Sequence, residues 1–417
     1  MTRTELPTCA SPDVEAPGPS PEVLFEEARR RRRRRWIAGL SAAGVGVAAA
    51  AVVFGASGSS APRRPVHRAA ARRRLSERLG AVVTPKTPTT LTVGPGGVLY
   101  VVDIGRDQLL RRLANGRFAV VAGSGKAGFS GDGGPAVEAK LRLGFDSGMA
   151  VTKAGALVFA DSGNERVREV LPNGIIRTIA GGGTTPLGRS QVRAPDATLG
   201  KPDSGSAHLA GLAIGPGSSL YLALPAGVYK LAADGMLTHV VGGKWNPSQV
   251  LSWDKNPAGK GDFAPADRIA VDRAGDLFVA GGGGWGLYER ASNGRLRFVE
   301  VFRGDGAGFW GSVAADGEGT VIGIDNSGVQ ILSGSGHTKP LTDDPKQLQL
   351  ALNRALGPRP KASGSDAGTY YFRGGYGIAA APDGTIYVDQ DSGIWSLDSG
   401  ILAISPNGRV KTIWLSH

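Results

Sequence analysis

Between residues 148 and 181, apolar and polar positions alternate in short runs separated by turns. LVFAD (157–161) is apolar, β-branched and aromatic, which suits a strand buried on at least one face. Asp161, Ser162, Gly163 and Asn164 supply the chemistry of a tight bend. RVREVL (166–171) alternates charged and apolar residues, the pattern of a half-exposed strand. Asn173-Gly174 predicts a hairpin with a type I′ turn, which needs positive φ at both central positions, and IIRTIAG (175–181) is the outgoing strand. GMAV (148–151), just upstream, predicts an inner strand. Four antiparallel strands joined in sequence describe one propeller blade.

The same pattern recurs from about residue 81. The turn before each second strand falls at Gly97, Gly155, Ser218, Gly275, Gly319 and Gly384. The strands that follow are LYVVD (99–103), LVFAD (157–161), LYLAL (220–224), LFVAG (277–281), VIGID (321–325) and IYVDQ (386–390). Hairpins toward the outer strand recur at Asn115-Gly116, Asn173-Gly174, Asp234-Gly235, Asn293-Gly294 and Asn407-Gly408, with Gly334-Ser335-Gly336 in the fifth repeat. One blade cannot bury both faces, so residues 81–417 predict an all-β, six-bladed β-propeller, with an open β-solenoid as the alternative. GRVKTIWL (408–415) completes the sixth repeat by itself, which leaves AVVTPK (81–86) as an extra edge strand or a lead-in.

The first 80 residues lack this pattern. Residues 1–35 predict a disordered basic tail that ends in the arginine run 29–35. Residues 36–58, beginning at Trp36, carry no charge, and as a helix they span about 30 Å, the thickness of a bilayer core. With the adjacent arginines this predicts one transmembrane helix, in contact with lipid; a cleaved export signal is the alternative. Residues 59–80 are a basic juxtamembrane linker that includes Arg63, Arg64, Arg68, Arg72, Arg73, Arg74 and Arg78. The denser first run places the N-terminus in the cytoplasm and the propeller outside. Most of the net charge of +12 lies in this N-terminal segment, so nucleic acid is not an expected partner of the propeller. Cys9 is the single cysteine, and no intrachain disulfide is possible.

Residues 91–181 resemble the NHL-repeat family. The resemblance is carried by TVGPGGVLYVVDIGRDQLLRRLANGRFAVVAG (92–123), by GMAVTKAGALVFADSGNERVREVLPNGIIRTIAG (148–181), and by the linker GSGKAGFSGDGGPAVEAKL (123–141), which is similar to those of bacterial members. Repeats three and four lose the Asp after the second strand, with Leu224 and Gly281 in its place. The resemblance implies a six-bladed propeller that acts as a ligand- or protein-binding module, extracytoplasmic in some receptor kinases; this chain carries no kinase signature.

Candidate chemistry is sparse. The connections near 123–147, 181–208, 243–266 and 337–376 leave one face of the ring, and long loops on a rigid scaffold are where binding sites usually lie. Aromatics gather there and nearby: Trp245, Trp253, Trp285, Trp310, Tyr370, Tyr371 and Tyr376, with Arg373 as a cation. Aromatics anchor ligands and partners, and they equally wedge blades together. Residues 344–358 predict a short helix over that face. The expected partner is an unidentified protein or small molecule at the loop-rich face. The competing class is a propeller lyase or hydrolase with a metal in the central channel. No histidine pair has metal-ligand spacing, GDGG (131–134) lacks the ligand density of a calcium loop, and no phosphate loop or nucleophile elbow is present, so no metal, catalytic residue or cofactor is expected. The recurring Asp103, Asp161 and Asp325 are expected to cap their own bends.

Overall fold

A computed structural model describes residues 79–242 apart from 146, 189, 201–210 and 225–226; beyond these it describes 266–281, 287–300, 312–315, 321–325, 328–332, 338–340, 377–390 and 400–415. All of them belong to one compact unit, Val66–His417. The predicted tail (1–35), the transmembrane segment (36–58) and the linker through residue 78 lie outside the described residues. Among the described residues no helix is long and apolar enough to cross a membrane.

The repeats fold as expected into an all-β propeller. Among the described residues, six sheets of four or five strands each pair the strands of one repeat in antiparallel order. We number these blades 1 to 6 and call their strands inner, second, third and outer. Blade 2 is Met149–Val151, Leu157–Asp161, Arg166–Val170 and Ile176–Gly181. The inner strands are Pro88–Gly94, Met149–Val151, Leu212–Ile214, Ala266–Val271, Ser312–Ala315 and Ile378–Ala380. Each packs on the inner strand of the next blade, and the sixth packs on the first, so the ring is closed.

Among the described residues, closure uses side-chain packing and no strand shared between the first and last blades. Blade 6 ends on its own outer strand, Val410–Leu415, paired to Gly400–Ile404. Val82–Val83 adds a fifth, outermost strand to blade 1 by pairing with Phe118 and Ala119, so this segment is an edge strand. The seam between the first and last blades is a shared apolar cluster of Leu91, Leu99, Val101, Leu110, Phe118 and Val120 with Ala379 and Ile401.

The hairpins occur where Asn-Gly and Asp-Gly predict them, but their geometry differs. Glycine alone takes positive φ, as at Gly116 (86°) and Gly174 (78°). Gly174 N–H donates to Leu171 O at 2.7 Å, and Leu171 N–H donates to Ile175 O at 2.9 Å. This is a type I turn followed by a left-handed glycine, a three-residue hairpin loop and not the expected I′ turn. Asn173 contributes through its side chain, whose Oδ1 accepts from Ile175 N–H at 3.1 Å.

The long connections also differ from expectation. Residues 123–141 do not form a free loop over the face. Pro135 bridges Ile175, and Gly133 N–H and Ala136 N–H donate to Ile176 O and Gly174 O, so the linker lines the outer edge of blade 2. A short 3-10 turn, Ala136–Glu138, then buries Ala136, Ala139 and Leu141 between blades 1 and 2. The next connection repeats the device. Val192–Arg193 pairs with the outer strand of blade 3, and the turn Ala194–Asp196 buries Ala194, Ala197 and Leu199 between blades 2 and 3. Exposed sheet edges invite pairing with other chains, and these linkers cover them.

The recurring aspartates serve this same construction. Asp103 accepts from Lys86 N–H and Thr87 N–H, both at 2.8 Å, and Asp161 accepts from Arg142 N–H at 2.7 Å. Each carboxylate therefore fixes the segment entering its own blade, 16 to 19 residues earlier in the chain, a longer reach than the local cap expected. The Asp325 side chain lies outside the described residues.

Two glycines of blade 2 separate conformational strain from close approach. Gly155 has φ of 81° with open space where a Cβ would stand; Gly181 has φ of 84°, and its Cβ would meet Glu165 O and stand 2.8 Å from Leu199 Cδ1. Gly155→Ala is expected to cost about 1 kcal/mol and Gly181→Ala about 2 kcal/mol or more, measured by urea denaturation. Equal losses would show that the linker yields freely to the added methyl.

Candidate functional site

The inner strands enclose a central channel of about 200 Å³, and all six blades line it. Strand register fixes which residues are equivalent around it. Thr90, Arg268 and Ser312 stand opposite Val102, Ala280 and Ile324. Gly148, Gly211 and Gly377 accept at their carbonyls from the matching residues of the second strands, Ala160, Ala223 and Asp389. The first ring of the channel, at the end where the long connections enter, is thus Thr90, Gly148, Gly211, Arg268, Ser312 and Gly377. Two positions further in, the ring is Thr92, Ala150, Ala213, Ala270, Ala314 and Ala379.

Small residues here follow from close packing. A Cβ on Gly377 would stand 2.9 Å from Thr89 O and 3.0 Å from Leu91 N. Between the two small rings, Leu91, Met149, Leu212, Ile269, Val313 and Ile378 are buried in the clusters between blades. The first ring departs from glycine at three positions, Thr90, Arg268 and Ser312.

Arg268 is the charged residue among those lining the channel, and it is 7% exposed. Its Nη2 donates to Phe145 O at 3.2 Å. Phe145 belongs to the segment entering blade 2, so the guanidinium of blade 4 reaches past the Gly211 position of blade 3. Thr90 is 8% exposed, and its Oγ1 meets no hydrogen-bond partner among the described residues. Ser312, also buried, completes the polar set. Asp389, behind Gly377, has its Oδ1 occupied by Gly377 N–H at 2.6 Å.

A second polar cluster is structural. Arg168 is fully buried, and its Nη2 donates to Ser130 O at 2.8 Å and to Asp132 Oδ1 at 2.7 Å. Its Nη1 faces Lys140 O at 3.3 Å and Asp161 Oδ2 at 3.5 Å, so one guanidinium holds the GDGG linker onto blade 2. Arg166 covers the Phe129 ring, with Cζ 4.1 Å from its centroid. Burial raises the Asp161 carboxyl against the opposing effects of Arg142 N–H, Asn164 and Arg168. His239 bonds Gly242 O through Nε2 at 2.7 Å and stands edge-on to Tyr229.

The eight residues singled out from sequence, Trp245, Trp253, Trp285, Trp310, Tyr370, Tyr371, Arg373 and Tyr376, lie outside the described residues, as does the expected helix 344–358. Among the described residues no group of three or more His, Cys, Asp or Glu side chains is placed to hold a metal. Sequence reading missed Arg268. The signal was available in register: DRIAV (267–271) puts arginine where SGMAV (147–151) and AGLAI (210–214) put glycine.

No family model matches the chain, and no curated protein matches it. Solved structures do. Selenomethionine-substituted virginiamycin B lyase from Staphylococcus aureus aligns at 10% identity and TM-score 0.45, over 78% of this chain and 84% of that one. A streptogramin B lyase aligns at 14% identity and TM-score 0.46, over 80% and 84%. The calcium-binding protein regucalcin from Agrobacterium tumefaciens aligns at 13% identity and TM-score 0.44, over 76% and 87%. At these identities and scores nothing about activity transfers to this chain.

Proposed function

We propose that this protein is an NHL-like propeller, anchored in the membrane by residues 36–58 with its N-terminus in the cytoplasm, that binds a ligand or protein segment outside the cell at the loop-rich mouth of its channel. The observation that carries the reading is the first ring. Glycine stands at three of its six positions, and Thr90, Arg268 and Ser312 stand at the other three, all lining the channel. A rigid concave site with few convergent polar groups is the usual form of a binding pocket. The anchor rests on the uncharged run 36–58 beside the arginines at 29–35.

A reporter that is active only outside the cytoplasm, fused after His417, is expected to be active. An inactive fusion, with the same reporter active when fused before Met1, reverses the topology. A fragment starting at Gly80 is expected to fold without detergent and to yield a cooperative urea transition, since Gly80 N–H already bonds Val120 O at 2.8 Å in blade 1. Stoichiometric calcium or zinc in the purified protein by elemental analysis would favour the channel-metal lyase or hydrolase over the binding module.

A further inference from the structure

We propose that blades 1 and 2, at the end where the long connections enter, carry a docking strip for an acidic polypeptide segment with apolar side chains. The strip is formed by Lys86, Lys126, Lys140 and Arg142 with the half-exposed rings of Phe129 and Phe145. It lies outside the channel, so it holds or fails independently of the mouth as a binding site.

The apolar part is the first observation. Among the described residues, the large apolar side chains left exposed are Val82, Phe129 and Phe145. The two phenylalanines, at 44% and 45% exposure, belong to segments on either side of one turn of blade 2. On one side Asn164 Nδ2 donates to Gly128 O at 2.8 Å, and on the other Gly144 N–H donates to Ser162 Oγ at 3.0 Å. Arg142 crosses the same turn, since a Cβ on Gly163 would stand 2.6 Å from its Cγ. Lys140 lies against Gly128, where a Cβ would stand 3.4 Å from its Cδ. The equivalent turn of blade 1 carries Lys86, whose Cδ would stand 3.0 Å from a Cβ on Gly105. Gly125, next to Lys126, packs on that turn too, at 3.8 Å from Arg106 O to its Cβ position.

Charge is the second observation. Lys86, Lys126, Lys140 and Arg142 are exposed, and none is ion-paired with a carboxylate among the described residues. The acids at this end are committed elsewhere. Asp103 and Asp161 accept from backbone N–H groups, and so does Asp107, whose Oδ1 is 2.8 Å from Leu143 N. Asp132 is held by Arg168, and Glu165 turns toward Gly200, which leaves Glu138 as the exposed acid of the linker. Between Ala139 and Leu143 buried and exposed positions alternate strictly. Ala139, Leu141 and Leu143 wedge the blades, and both outward positions, Lys140 and Arg142, are cations. Packing explains the apolar half of that alternation and leaves the cationic half to a partner of opposite charge. The rings choose a polypeptide over a lipid surface. They are half-buried, and Arg166 covers Phe129 with Cζ 4.1 Å from the centroid, so they form a floor and do not project as a bilayer anchor does. Apolar side chains of an extended segment pack on such a floor while its carboxylates meet the cations beside it.

The test uses the full chain in phosphatidylcholine nanodiscs, titrated into fluorescein-labelled peptides and read by anisotropy. A short peptide of glutamates broken by leucines is expected to saturate at one per chain and to weaken as salt rises. The same peptide with lysine for glutamate is expected not to bind. Lys126→Glu with Lys140→Glu should weaken the acidic peptide by about tenfold or more and leave the urea midpoint unchanged, because both side chains are exposed. Serine for leucine in the peptide should weaken it by about fivefold or more, a measurement that leaves the protein untouched. Equal binding of the serine peptide overturns the role of Phe129 and Phe145. Acidic-peptide binding that the double charge reversal leaves unchanged, or no binding, overturns the strip as a site. A dye on Ser124→Cys, in a Cys9→Ser background, that is quenched by brominated phosphatidylglycerol in the nanodisc assigns the strip to the membrane surface and overturns the polypeptide.

Discussion

Arg168→Met lowers the stability of the propeller by about 3–5 kcal/mol, seen as a reduced urea midpoint with the slope unchanged. The wild-type side chain is fully buried, and its guanidinium bonds Ser130 O and Asp132 while facing Lys140 O and Asp161. Methionine fills much of the volume and supplies none of the donors. Two carbonyls lose a partner, and the buried Asp161 loses its nearest cation. Removing one partner of a buried pair is costlier than never having built it, because the remaining charge stays desolvated. Arg168→Lys keeps the charge but not the fork, so a smaller part of the loss is expected.

The pH dependence of that loss identifies its cause. Burial holds the Asp161 carboxyl above its ordinary value, against the Arg142 N–H, Asn164 and Arg168. A carboxyl raised in the folded state holds its proton more tightly folded than unfolded. Its contribution favours the fold at acid pH and is lost as pH rises through the folded pKa. Without Arg168 that pKa climbs further, so the deficit of the methionine variant is greatest at pH 7 and shrinks at acid pH, as Asp161 takes up a proton. Asp132 acts in the other direction. Burial opposes its charge, but bonds from Thr178 and Arg168 and the Arg168 charge outweigh it and hold the carboxyl low. Its contribution is present above the ordinary carboxylate range and lost as pH falls. A deficit that is the same at both pH values would mean that packing, and not the Asp161 charge, carries the effect.

Arg168 also marks the boundary of what the sequence made legible. The run RVREVL predicts a half-exposed strand, and the strand is there, at Arg166–Val170. The exposure is misread, because alternation says which face a side chain takes but not what lies on that face. Here the linker Phe129–Asp132 covers it, and the partners of Arg168 are up to 38 residues away. The blades themselves are local. Each hairpin is set by a turn of a few residues, so Asn-Gly and Asp-Gly located them correctly even though the turn type differs. The aspartates at Asp103 and Asp161 were visible as a recurrence, but their acceptor role toward backbone 16 to 19 residues earlier depends on the blade being assembled. Arg268 was hidden for a related reason. It departs from Gly148 and Gly211 only when the inner strands are aligned with one another, and that register is fixed by the pairing of each with the second strand of its blade.

Leu141→Ala and Leu199→Ala are each expected to cost about 2–5 kcal/mol, against about 0.5 kcal/mol or less for the exposed Glu138→Ala in the same linker. Both leucines are buried, at 0% and 3% exposure, and each ends the same short motif of a 3-10 turn with two buried alanines. Leu141 lies among Val102 and Leu109 of blade 1 and Phe159 and Ile176 of blade 2. Leu199 lies among Val158 and Val167 of blade 2 and Leu222 and Leu237 of blade 3. Neither blade supplies a side chain that could fill the space, since the backbone of both is fixed by its own sheet, so truncation leaves a cavity that cannot collapse. The prediction separates two readings of the long connections. As binding loops on a finished scaffold, 123–141 and 181–199 would tolerate the loss of a leucine with little change in urea midpoint. As wedges that complete the packing between blades, they would not, and the double variant should lose close to the sum of the two because the clusters are distinct. Losses under about 1 kcal/mol for both would return these segments to the list of candidate binding loops. Losses of the expected size show that these two segments complete the packing between blades.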